Sequence, residues 1–154
     1  MRIFIDADSC PRQIRNIIAK GALRLKVEAG FVANRKIPFP GDSYTYGVVV
    51  KPEEGSADKY ILQKANPGDL VITRDIPLAA ELVEREILVL NIKGEVFTRE
   101  NVRERLSLRD FMKDLRESGL PAPEKDSFGE REIRIFANTF DRESLKLAKK
   151  GQEN

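Results

Sequence analysis

Through residue 92, short apolar runs alternate with segments in which apolar residues recur at helical spacing. RIFIDAD (2–8) predicts a short buried strand. PRQIRNIIAKGALRL (11–25) then predicts a helix, with Ile14, Ile17 and Ile18 on one side, Pro11 in the first turn and Ser9 or Cys10 as the cap. KVEAGFVANR (26–35) predicts a second strand, PFPGDSYTY (38–46) a turn-rich loop and YGVVVKP (46–52) a third strand. SADKYILQKA (56–65) reads as a helix capped by Ser56, NPGD as a turn and LVITRD (70–75) as a fourth strand. IPLAAELVERE (76–86) is a helix with Pro77 in its first turn, and ILVLNI (87–92) is a fifth strand. Strands alternating with helices in this way predict an α/β fold of three layers, a mostly parallel sheet flanked by helices.

The last third changes character. VFTRENVRERL (96–106) and SLRDFMKDLRESG (107–119) predict two helices, the second capped by Ser107 with Asp110 three residues on. GLPAPEKDSFGE (119–130) has the Pro, Gly and charge content of an exposed loop. REIRIFANTFDRESLKLAKKG (131–151) predicts a closing helix with Ile133, Phe136, Phe140 and Leu145 near one side. No repeat or clean boundary interrupts the chain, so one domain over 1–150 is expected, with a tail at 151–154 and the C-terminal helices packed on the sheet.

Composition narrows the chemistry. A chain of 154 residues buries roughly 70% of its unfolded surface, enough for a core without disulfide or metal staples. The single cysteine excludes an internal disulfide and suits a reducing cytoplasm, and no leader-like or membrane-spanning apolar run is present. A net charge of +2 with 34% charged residues describes a well-solvated surface, so any polyanion site must be local. The absence of histidine excludes Ser-His-Asp and Cys-His mechanisms and His-containing zinc sites. Metal ligands would have to be oxygens, which points to Mg²⁺ or Mn²⁺.

The acidic residues fall at the strand exits. Positions i and i+2 of a strand share a face, so Asp6 and Asp8 are expected to project together from the C-terminal end of the first strand. Asp75 follows the fourth strand, and EEGSAD brings Glu53, Glu54 and Asp58 near the same edge, outside which open α/β sheets hold their ligands. The expected cluster is Asp6, Asp8, Asp58 and Asp75, with Glu53 or Glu54 as additions. Two carboxylates about 5 Å apart repel by about 3 kcal/mol at an effective dielectric near 20, so such a cluster calls for protonation or a divalent ion. Aspartates in front of helices also serve as caps, the competing account of each one singly. Thr73 is placed to orient Asp75 or a metal-bound water, or is a plain strand residue. Arg35, beside Asn34 at the exit of the second strand, is placed to meet a phosphate, although an exposed loop arginine is the commoner fate. Cys10 lacks the Cys-x5-Arg spacing of a thiol phosphatase, because Arg15 comes one position early and Asn16 stands in its place, so a packing role is expected.

IDADSCP (5–11), FVANR (31–35), ADKYI (57–61), PGDLVITRDIPLA (67–79) and FANTFDR (136–142) together resemble the YaiI/YqxD family of uncharacterised bacterial proteins, which looks like a divergent branch of the PIN-like nuclease fold. The resemblance implies carboxylates Asp6, Asp8, Asp58 and Asp75 holding Mg²⁺ or Mn²⁺ at the C-terminal edge of a parallel sheet. There are two departures. Gly55 stands where the family usually has another Asp, and Gln13 where it often has Lys. Glu53 or Glu54 is the candidate replacement for the first, Arg12 or Arg15 for the second.

Three functions follow. The first is a divalent-metal-dependent phosphodiesterase acting on RNA or another phosphodiester, with Asp6 and Asp75 as direct ligands, Asp8 and Asp58 completing the shell, and the helix start at Ser9–Pro11 assisting the anion. The second is a non-catalytic nucleic-acid or metal-binding module on the same scaffold. The third is a haloacid-dehalogenase-type phosphatase, disfavoured because Asp69 and Asp75 should sit at opposite ends of the fourth strand.

Overall fold

The computed structural model describes residues 1–119 and 128–152. The chain runs β1 (Arg2–Asp6), a 3₁₀ turn (Ala7–Ser9), α1 (Arg12–Leu25), β2 (Glu28–Ala33), β3 (Thr45–Val49), α2 (Ser56–Lys64) and β4 (Leu70–Ile72). It continues with α3 (Ile76–Glu84), β5 (Leu88–Leu90), α4 (Arg99–Glu117) and α5 (Glu130–Gln152). The five strands form one wholly parallel sheet in the order β3-β2-β1-β4-β5. This is a three-layer α/β fold in a PIN-like arrangement. Among the described residues no helix is long and apolar enough to cross a membrane.

The strand pleat sorts the core. Ile3, Ile5, Ala29, Phe31, Leu70 and Ile72 face the layer of α1 and α5, where they pack with Ile14, Ile18, Phe136 and Phe140. The intervening Phe4, Val32 and Val71 face the other layer, with Ile61 of α2, Leu78 and Leu82 of α3 and Val102 of α4. A strand covered on both faces needs an unbroken apolar run, which is why these segments read as runs rather than alternations. At the N-terminal edge, Asp69 is buried and accepts from the Arg2 backbone N–H (2.8 Å), the Arg2 guanidinium (3.1 Å) and the Asn66 backbone N–H (2.9 Å). That lock ties β1 to the start of β4.

β2 and β3 are parallel, yet residues 34–44 return between them without a helix. Parallel neighbours need a connection long enough to retrace the strand. Here it is an irregular segment anchored by Phe39, whose ring stacks on Phe31 at 5.2 Å.

Several sequence expectations are corrected. The first strand ends at Asp6 instead of running to Asp8, because the chain tightens into the 3₁₀ turn closed by Cys10 N–H donating to the Ala7 carbonyl (3.2 Å). Neither Ser9 nor Cys10 caps α1, whose N-cap position is Pro11 with no side-chain bond. Ser56 is the first helical residue of α2, and Gly55 takes the N-cap position with φ +82. The two helices expected over 96–119 are one. Thr98 caps α4 by accepting from Asn101 N–H (3.1 Å), and the Asn101 side chain accepts from Thr98 N–H (2.7 Å). Ser107 lies exposed within the helix, and neither Gly nor Pro breaks the chain there. On α5 the buried line continues from Phe136 and Phe140 to Ser144, one helical step on, whereas Leu145 is 46% exposed. The loop expected at 119–130 lies largely outside the described residues, and α5 extends through Gln152.

Candidate functional site

The strand order places one crevice. From β1 the chain proceeds outward through β2 to β3, then returns to pair β4 on the other flank of β1. The carboxyl ends of β1 and β4 therefore bound the topological switch point, where open α/β sheets leave room for a ligand. Ile5 pairs with Ile72, so the next residues out are Asp6 and Thr73. The buried Thr73 hydroxyl donates to Asp6 Oδ2 (3.0 Å) and accepts from the Asp75 backbone N–H (3.0 Å). One threonine thus fixes both the Asp6 carboxylate and the backbone turn that presents Asp75. The Asp75 carboxylate accepts from Leu78 N–H (2.9 Å) as the N-cap of α3.

Asp58, in the first turn of α2, completes a trio. Its carboxyl lies within hydrogen-bonding reach of Asp75, and its pKa is pushed up to about 6 by burial and by the charges of Asp75 and Asp6. Burial also raises Asp6, with further upward pushes from Asp75 and Asp8, against the lowering effect of the Thr73 hydroxyl. Among the described residues no lysine or arginine forms an ion pair with Asp6, Asp58 or Asp75.

Asp8 lies in the 3₁₀ turn instead of on the strand, where the exposed side chain accepts from the Asn34 backbone N–H (2.9 Å) and ties the turn to the exit of β2, while its charge adds to the upward push on Asp6. Asn34 thus enters through its main chain. Among the described residues no group of three or more His, Cys, Asp or Glu side chains is gathered to hold a metal ion.

A cavity of about 330 Å³ opens at the switch point, lined by Asp6, Ser9, Arg74, Asp75, Ile76 and Arg109. Ser9 and the two acids were anticipated there. Arg74 and Arg109 were not. Arg109 lies on an exposed stretch of α4 where arginines alternate with acids, and the sequence does not reveal that α4 reaches this mouth. Arg12 and Arg35 are exposed, and Arg35 borders a different, mainly apolar cavity beside Phe39. Arg15 is a brace: its Nη1 donates to the Cys10 carbonyl (3.0 Å), while its buried Nε has no hydrogen-bond partner among the described residues. Cys10 is buried in the core, and burial pushes its thiol up to about 12, which suits packing and disfavours nucleophilic attack.

Glu53 and Glu54 are exposed in the turn before α2. Gly55, standing where the family resemblance led one to expect a carboxylate, has a left-handed backbone that glycine adopts without strain. Asp69 is bonded to Arg2 at the far edge of the sheet, so it and Asp75 cannot serve one phosphatase site.

The raised carboxyl of Asp58 has a consequence for the metal-free protein. A group that holds its proton more tightly when folded makes the native state lose stability as pH rises, here from about 4 through about 6. Asp58→Asn is therefore expected to raise the melting temperature at pH 7 in the presence of EDTA and to leave it nearly unchanged at pH 4. A lower melting temperature at pH 7 would contradict the repulsion.

The comparisons with known proteins agree with the sequence motifs. The family model described as "Uncharacterized BCR, YaiI/YqxD family" matches residues 4–146. A "UPF0178 protein" of Myxococcus xanthus is 46% identical over 149 residues, 97% of each chain. Another of Treponema pallidum is 49% identical over 148 residues, 96% of this chain and 83% of its own, and one of Proteus mirabilis is 42% identical over 150 residues, 97% and 99% of the two. No solved structure matches the chain. With a family model spanning nearly its whole length and relatives this similar from end to end, the chain belongs to the YaiI/YqxD (UPF0178) family.

Proposed function

We propose that the crevice between β1 and β4 is the site of a divalent-cation-dependent phosphodiesterase acting on RNA. The observation that carries this reading is that Asp6 and Asp75 line a switch-point cavity, with Asp58 under the charge of both, and no lysine or arginine is paired to any of the three among the described residues. The donors are all carboxylate oxygens, the chemistry of Mg²⁺ and Mn²⁺ sites. Mg²⁺ commonly takes one or two carboxylates and retains several waters, so a preassembled set of three ligands is not required. Asp6 and Asp75, which share the cavity, would hold the ion, and Asp58 would join them directly or through water. A bound cation would activate water for attack and stabilise charge developing on phosphate. Thr73 keeps Asp6 turned toward the cavity edge, and the Leu78 N–H holds one oxygen of Asp75 in place. The single free cysteine, buried, supports a reducing, cytoplasmic setting.

Purified protein is expected to cleave single-stranded RNA with Mn²⁺ or Mg²⁺ and to be inactive in EDTA. Intact RNA and DNA across a substrate panel, with full metal loading verified, would remove the catalytic reading. A second reading, a binding module that takes cation or nucleic acid without turnover, is favoured by the absence of a gathered ligand group among the described residues and by the exposed positions of Glu53 and Glu54. Nucleic-acid binding that is unchanged in Asp75→Asn, with no cleavage, would select it.

A further inference from the structure

Many of the arginines are engaged within the fold, and several others make no hydrogen bond or ion pair among the described residues. Arg2 pairs with Asp69, Arg24 with Asp141, Arg85 with Glu81, Arg99 with Glu84 and Arg105 with Glu95. Arg74 and Arg109 make no hydrogen bond or ion pair among the described residues, yet both line the cavity that Asp6 and Asp75 line. Two unneutralised cations and two unneutralised carboxylates thus border one space of about 330 Å³ without pairing. The guest that satisfies both at once is a phosphate, with oxygens toward the guanidiniums and toward a cation held by the acids.

Arg74 and Ile76 also line a second cavity, of about 170 Å³, which continues toward Asn91, Phe97 and Arg105. Arg74 and Ile76 are the residues the two spaces share. The first cavity is acid-bearing. Among the described residues no acidic side chain lines the second, and Lys93 and Arg105, both already engaged and Arg105 by Glu95, are on its wall. A single phosphate would occupy only the first. A chain of phosphates would follow both.

We infer that Arg74 and Arg109 are phosphate-binding residues for a single-stranded polynucleotide, gripping the phosphate beside Asp6 and Asp75, and that the strand continues along Arg74 into the Phe97–Arg105 cavity. This deepens the proposed phosphodiesterase site and rests on that reading, but it concerns the binding of the strand and not the cation. Arg109 comes from the middle of α4, so α4 is a wall of the substrate cleft as well as a packing helix. A single strand fits this arrangement because it presents its phosphates without a paired partner strand, and a charged groove that tracks the backbone is how single strands are held.

The test is fluorescence anisotropy with a labelled single-stranded RNA of about a dozen nucleotides, run in EDTA and in Mn²⁺, alongside Mn²⁺ binding followed by electron paramagnetic resonance. Arg74→Ala/Arg109→Ala is expected to bind the RNA at least about tenfold more weakly. Its salt slope should be smaller by about 0.7, because both arginines neutralise the same phosphate. Its Mn²⁺ affinity should match the wild type. Arg103→Ala, on the same helix but away from the cavity, should bind RNA normally, and Asp6→Asn should lose Mn²⁺ while keeping RNA binding in EDTA. Arginine side chains this exposed are dispensable for folding, which circular dichroism of the double variant checks. Equal RNA affinity in wild type and the double variant would overturn the inference. So would Mn²⁺ uptake by a wild type that binds no RNA, an outcome that leaves the cation site standing. Binding of a mononucleotide as tight as that of the oligonucleotide would overturn the extended path, and binding of neither RNA nor Mn²⁺ would overturn both readings.

Discussion

Asp6→Asn is expected to weaken Mn²⁺ binding by about a hundredfold or more and to eliminate RNA cleavage, with the protein at least as stable as the wild type. Asp6 is the member of the trio with the fewest structural duties. Asp75 caps α3, and Asp58 shares hydrogen-bonding reach with it, whereas Asp6 receives one oriented hydroxyl and otherwise only repulsion and burial. Asparagine keeps the shape and can still accept from Thr73, but it removes the charge a cation would seek. Because burial already disfavours that charge, its loss relieves the metal-free fold. Isothermal titration with Mn²⁺ and a melting curve in EDTA measure the two sides. Unchanged Mn²⁺ affinity in Asp6→Asn would remove Asp6 from the site, whatever the activity.

Phe140→Ala is expected to destabilise the protein by about 3–5 kcal/mol, the usual result of emptying a fully buried aromatic position. Phe140 is fully buried, stacks beside Phe136 with ring centroids 5.6 Å apart, and lies where α5 crosses α1. The crossing is close because α1 offers Gly21. A Cβ there would stand 2.4 Å from Phe140 Cε1, and its three nearest neighbours all belong to that ring. Gly21→Ala alone should therefore cost about 1–3 kcal/mol through overpacking. In a Phe140→Ala background the same change should become neutral or stabilising, since the obstruction is gone and alanine is the better helix former by about 1 kcal/mol. Urea denaturation of the four proteins in this cycle gives the sign directly. Additive effects would mean that the two helices do not meet through this pair.

The legible parts of the chain were those governed by short-range rules. Buried runs such as IFI and LVI, and the helical spacing of Ile14 and Ile18, identify strands and helices because each element must hide a face or both faces. The strand exits then placed Asp6 and Asp75 on one edge, and their meeting through Thr73 follows from the pairing of β1 with β4. What local rules missed had local causes too. Asp8 was read as a strand residue, but the strand ends at Asp6 and Asp8 belongs to the turn. The cap of α4 was overlooked because Asn101 does what a glutamate or glutamine usually does at that position. Ser107 looked like a start signal, but a serine within a helix stops nothing. Arg74 and Arg109 were beyond any pattern: which arginine faces a cavity depends on how α4 lies across the sheet, and the sequence shows only that many arginines alternate with acids.

The Thr73–Asp6 contact joins residues 67 apart in the sequence, while β1 finds β2 through the single intervening helix α1. Closing so long a loop carries an entropic penalty that nearby pairings escape, and contacts of that span tend to form late. A nascent chain that has delivered only β1, β2 and β3 therefore has Asp6 at an unfinished flank, without the hydroxyl that orients it. The acidic mouth between β1 and β4 takes shape when β4 docks, so its assembly reports arrival of the second half of the sheet. Translation-arrested chains of increasing length should acquire Mn²⁺ binding in one step, at the length that frees β4 from the ribosome.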